Sequence, residues 1–237
     1  MTGLAAATAW LGPEAWQALR LSLLVATTAT AASLVPGLGI AYLLARGRFP
    51  GRGALDTLVH LPLVMPPVVT GYLLLVAFGR RGLVGAWLAE HLGLVLAFRW
   101  TGAALACAVM GFPLMVRAIR LSIESVDARL EEAAGTLGAG PLAVFGLVTL
   151  PLVLPGIIAG LVLSFARAMG EFGATITFVA NIPGETQTLP SAIYTLTQVP
   201  GGEGDALKLT LVSVAVSTLA LVLSEALARG MSRRLAA

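Results

Sequence analysis

Residues able to carry chemistry are scarce in this chain, and they are badly placed for one another. The single cysteine, Cys107, lies among small apolar residues, so neither a disulfide nor a CxxC thiolate site can form from this sequence. His60 and His91 are far apart in sequence and fall on opposite predicted faces of a membrane, so they cannot share a metal. The sequence contains no HExxH, GxSxG or GxxxxGK[ST] pattern, and no catalytic residue is expected. Any ATP chemistry would belong to a separate chain. Two polar features remain. Arg167 and Glu171 are oppositely charged and four apart inside an apolar run, a spacing that lets each neutralise the other at low dielectric. The second is a run of acids and small residues from Asp127 to Pro141, which suits a contact surface rather than a reaction.

The elements that must position these residues are membrane spans. The chain is 57% hydrophobic and 11% charged, with a mean hydropathy of +0.91, far from a soluble domain with about 25% charged residues. A spanning helix needs about 20 apolar residues. Long runs nearly free of charge lie at about 20–45, 57–79, 101–119, 151–175 and 207–228. The expected fold is therefore an all-α polytopic membrane protein of about five transmembrane helices, forming one transmembrane domain over 1–237. The sequence pI of 9.6 does not point to nucleic acid, because the arginines gather at the ends of apolar runs.

Charge bias orients the spans, since Lys and Arg near span ends favour the cytoplasm. Arg46, Arg48, Arg52, Arg117, Arg120, Arg129, Arg229, Arg233 and Arg234 fall on one side. Only Arg20, Arg80, Arg81, Arg99 and Lys208 fall on the other. The N-terminus is expected outside, the C-terminus in the cytoplasm, and 121–150 as a cytoplasmic loop. The stretch before Arg20 lacks the basic region of a signal peptide, so the first span reads as a retained, reverse-oriented anchor. Residues 80–100 read as a surface-lying amphipathic stretch and 181–206 as an ordered or half-dipping external loop. Trp10, Trp16, Trp87 and Trp100 fall near the external boundaries, as interface anchors do.

Within the cytoplasmic loop, Asp127 can cap a short helix, and Glu131 and Glu132 in its early turns suit the helix dipole. Gly138 can close that helix in a left-handed conformation, and Pro141 can open the next one. Ala133, Ala134 and Gly135 carry almost no side-chain volume, so another backbone could approach closely.

The spacing Glu132-Ala133-Ala134, three residues, Gly138, nine residues, Val148, one residue, Leu150-Pro151 resembles the EAA loop of permease subunits in binding-protein-dependent ABC importers. Further along, Phe49-Pro50-Gly51, Pro66-Pro67 with Thr70-Gly71-Tyr72, Phe112-Pro113, Gly170-Glu171-Phe172-Gly173 and the stretch Asn181 to Pro190 are closest to the molybdate and tungstate permeases. Sulfate permeases share the Gly-Glu-Phe-Gly and EAA features. Some family members carry an extra N-terminal span that this chain is too short to hold.

The resemblance implies a type I ABC importer permease fold in the bacterial inner membrane and a homodimer of this chain. It also implies two copies of an ATPase subunit that bind the ATP, and an external, periplasmic oxyanion-binding protein. Glu131, Glu132, Ala133, Ala134, Gly135, Gly138, Leu150 and Pro151 would make the ATPase contact.

An oxyanion must leave its path as well as enter it, so weak donors suit transit better than clustered arginines. Expected path or gate residues are Pro66, Pro67, Thr70, Ser164, Gly170, Gly173, Thr175 and Thr177, near mid-membrane breaks at Pro66-Pro67 and Gly170–Gly173, with Arg167 and Glu171 as a pair or gate element. Hydroxyls bonded to their own helix carbonyls are the alternative for the Thr and Ser residues. A sulfate or tungstate permease, or an ATP-independent secondary transporter or channel, are the rival functions.

Overall fold

The computed structural model describes residues 12–235, all of whose regular elements are helical. Trp10 lies outside them. In chain order the helices are α1 (Pro13–Arg46), α2 (Arg52–Val64), α3 (Pro67–Phe78), α4 (Leu83–Leu92), α5 (Trp100–Ser125), α6 (Ala128–Thr136), α7 (Pro141–Met169), α8 (Gly173–Val179), α9 (Leu189–Thr197) and α10 (Glu203–Leu235). Among the described residues, α1, α5 and α7 are each long and apolar enough to cross a membrane. Helix α10 contains the fifth apolar run, 207–228.

Three expectations need correction. The run at 57–79 is not one straight span: α2 and α3 meet at a bend of 115°. The break falls at Pro66-Pro67, where Met65 is extended and Pro67 takes the first position of α3, the place where its missing N–H costs least. Each arm, 13 and 12 residues, rises only about 20 Å, short of the hydrocarbon thickness. The run at 151–175 stops at Met169, and α8 starts separately at Gly173. The loop expected at 121–150 is shorter: α5 continues to Ser125 and α7 begins at Pro141. Charged residues such as Arg117 and Arg120 end the apolar run, but the backbone hydrogen bonds of the helix continue past them.

Helices α1, α5 and α7 form the packed centre. Two apolar clusters fill it, one around Val25, Ala29, Cys107, Met110 and Phe178, the other around Leu44, Met115, Ile119, Ile123 and Val153. The α5–α7 seam is built on small residues at four-residue spacing. A Cβ on Gly156 would sit 2.2 Å from Ser122 Cβ, and one on Gly160 would sit 3.1 Å from the Met115 carbonyl. Such spacing lets two helix backbones approach directly inside a bilayer, where helix association depends on close packing. The expected amphipathic stretch contains α4, which leaves Leu83 and Trp87 exposed. The expected loop at 181–206 contains the nine-residue helix α9.

Candidate coupling segment and membrane breaks

Asp127 leaves helical geometry, and its side chain accepts the Arg129 amide at 3.0 Å, which caps α6. At the other end Gly138 has φ +87°, its amide donates to the Gly135 carbonyl, and the Ala139 amide donates to the Ala134 carbonyl at 3.2 Å. These paired bonds satisfy two carbonyls that the helix end would otherwise leave open. Pro141 then starts α7. Phe145–Thr149 form a π-helical turn, immediately before Leu150 and Pro151. Pro151 has no N–H to offer the preceding turn, a known cause of such local widening.

Helix α6 stands away from the packed centre and has no buried residue. Glu132, Ala133, Gly135 and Gly138 are exposed, and Ala134 is half-buried. Glu131 points differently from its expected neighbours. Its Oε1 accepts from Thr149 Oγ1 at 2.7 Å, and its Oε2 lies 3.3 Å from Arg46 Nε, so it faces the body. Sequence spacing alone missed these partners, which are 18 and 85 positions away. The only available signal was an arginine at the end of a span and an acid in the loop.

At the two membrane breaks the structure brings α3 and α8 into backbone contact. A Cβ on Gly71 would lie 2.5 Å from the Ala174 carbonyl oxygen, and one on Gly173 would lie 2.8 Å from Pro67 Cβ. Gly170 ends α7, and Glu171 bridges the gap. Its Oε1 accepts the Ala174 amide at 2.8 Å, and its Oε2 lies 2.7 Å from Arg167 Nη1. The carboxylate thus occupies the amide end of α8. Thr175 donates to the Phe172 carbonyl at 2.9 Å and Thr177 to the Gly173 carbonyl at 2.8 Å. Both therefore satisfy themselves locally. Thr70 and Ser164 are buried with no hydrogen-bond partner from the protein, and Ser164 lies against Gly111 of α5.

Long apolar helices around a broken pair, with a capped short helix outside them, define a helical membrane protein. The sequence model described as binding-protein-dependent transport system inner membrane component matches residues 37–233, and the chain belongs to that family. It is 60% identical over 217 residues to the molybdenum transport system permease protein ModB of Escherichia coli (strain K12), covering 92% of this chain and 94% of that one. It is 53% identical to ModB of Haemophilus influenzae, covering 92% and 95%. It is 39% identical to the sulfate transport system permease protein CysT of Salmonella typhimurium, covering 77% and 65%. In fold it resembles the bacterial alginate ABC transporter solved with an alginate pentasaccharide-bound periplasmic protein, at TM-score 0.72, 19% identity and coverage of 97% and 82%. It also resembles an inward-facing MetNI methionine ABC transporter, at TM-score 0.68, 14% identity and coverage of 98% and 99%.

Proposed function

We propose that this chain is the permease subunit of an ATP-driven importer for an oxyanion, molybdate, and that α6 is the helix on which a separate ATPase acts. The observation that carries the coupling role is α6 itself: both ends are closed by their own caps, and no residue between them is buried. A helix held this way presents a preformed face of Glu132, Ala133 and Gly135 to a partner. The 60% identity to ModB, against 39% to the sulfate permease, supports molybdate.

The assembly would hold two copies of this chain, two ATPase subunits on the cytoplasmic side and an oxyanion-binding protein outside, in the bacterial inner membrane. The N-terminus would lie outside and the C-terminus inside. A twofold pair of chains supplies the second half of an alternating-access path, and closed twofold symmetry is the commonest arrangement. The exposed apolar residues Leu58 and Val64 of α2 and Val69 and Leu73 of α3 suit cover by lipid or by the second copy. No nucleic acid is involved. Transport would proceed by rocking of rigid bodies between two packings, with the breaks at Pro66-Pro67 and Gly170–Gly173 forming the path and gate. This chain would contribute motion and a path, and ATP would be bound and hydrolysed by its partner.

Uptake into proteoliposomes holding the whole complex tests the proposal. Labelled molybdate should accumulate only with ATP and the binding protein, and excess tungstate should compete far better than sulfate. Uptake that survives ATP depletion would instead make this an ATP-independent carrier. Preferential competition by sulfate would make it a sulfate permease.

A further inference from the structure

Helix α6 has no apolar anchor, so something else must set its angle against the spans. Arg46, the last residue of α1, is placed to do so. Its Nη2 donates to the Val126 carbonyl at 3.0 Å, and Val126 is the one residue between α5 and the Asp127 cap. Its Nε lies 3.3 Å from Glu131 Oε2, while Glu131 Oε1 accepts from Thr149 Oγ1. Thr149 is almost fully buried at the foot of α7. One guanidinium and one carboxylate therefore tie together α1, the α5–α6 junction, α6 and α7. The side chains of Arg46 and Glu131 keep 25% and 18% of their exposure, so solvent screens the pair less than it would an open surface pair. The bond to Val126 fixes the plane of the guanidinium, and its charge then attracts the Glu131 carboxylate across 3.3 Å, an orientation that a freely rotating ammonium would not hold.

We propose that Arg46 is a positioning residue for energy coupling. Through Glu131 and Val126 it fixes the orientation of α6, so that a push on α6 moves α1, α5 and α7 instead of rolling a short unanchored helix. Glu131 and Glu132, about 100° apart around the helix axis, then have opposite duties. Glu131 grips the body and Glu132 stays open toward the partner. This rests on the coupling role of α6 given above.

The test uses the complete transporter in liposomes with the external binding protein and molybdate, and reads molybdate imported per ATP hydrolysed. Arg46→Gln and Glu131→Gln should each lower that ratio at least about fivefold, the low end of typical coupling between sites. Arg46→Lys, which keeps the charge but not the fixed plane of donors, should give a ratio between Arg46→Gln and the wild type. Wild-type ratios in both Gln variants overturn the proposal. If Arg46→Gln does not assemble, Glu131→Gln decides: a lowered ratio supports the proposal and a wild-type ratio overturns it. Glu132→Lys separates the two levels. Loss of ATPase co-purification there, with normal transport by Arg46→Gln, removes only the latch; unchanged co-purification removes the coupling role itself.

Discussion

Arg167 and Glu171 meet at 2.7 Å, one turn apart, while the second oxygen of Glu171 accepts the Ala174 amide in the first turn of α8. The pair is thus also a joint. It ends one helix, starts the next, and leaves Arg167 partly open at 28% exposure while Glu171 is sealed at 1%.

Glu171→Gln should lower stability by about 1.5–3 kcal/mol, the range for hydrogen bonds to charged groups. The cost stays below that of a fully buried pair because Arg167 can reach solvent or headgroups. Thermal unfolding in detergent and molybdate uptake together check this, and a variant normal in both would rule out a structural or gating role for the pair.

Gly138→Pro and Glu132→Lys should abolish ATPase binding while leaving the spans folded. Proline at 138 removes the amide that donates to Gly135 and cannot adopt φ +87°. Gly138→Ala is the milder version, strained by about 1–2 kcal/mol in the left-handed region. Co-purification of the ATPase, with helicity followed by circular dichroism, distinguishes lost docking from lost folding.

Gly71→Val should force α3 and α8 apart, because the first added carbon would already lie 2.5 Å from a backbone carbonyl. A cost of about 1–3 kcal/mol is expected for such overpacking. Ala174→Gly should not rescue it, since the obstructing atom is main chain. Melting temperatures of the single and double variants check both statements.

Thr70→Val and Thr149→Val should differ although the chemical change is the same. The Thr70 hydroxyl is buried without a protein partner, so its loss at constant volume should be neutral or stabilising. Thr149 loses its bond to the Glu131 carboxylate and should cost about 1.5–3 kcal/mol. Equal melting temperatures for the two variants would contradict this.

Much of this was legible in residue order, and for local reasons. Caps and glycine closures depend on neighbours a few positions away, so Asp127, Gly138 and Pro141 announced α6 and the start of α7 correctly. The breaks at Pro66-Pro67 and Gly170–Gly173 were visible as helix-interrupting residues, but their severity was not. A bend of 115° depends on what α3 can pack against, and that is α8, a hundred residues later. Hydropathy misplaced the span ends for a related reason: it reads side chains, whereas the helix is held by its backbone. Chemistry alone marks Thr175 and Thr177 as candidate path hydroxyls, but in the fold both donate to nearby main-chain carbonyls. Glu131 could not be separated from Glu132 in sequence, because only a distant arginine distinguishes them.

Val126 alone joins α5 to the cap of α6, and four residues, 137–140, join α6 to α7. That leaves the segment almost no slack in length or in phase. One residue removed from the first turn of α6 would turn the rest of the helix by about 100°, carrying Glu131 away from Arg46 and putting Glu132 in its place. The reading frame of this short stretch is therefore an angular setting as well as a code, and a single insertion or deletion should disturb its inner and outer faces together.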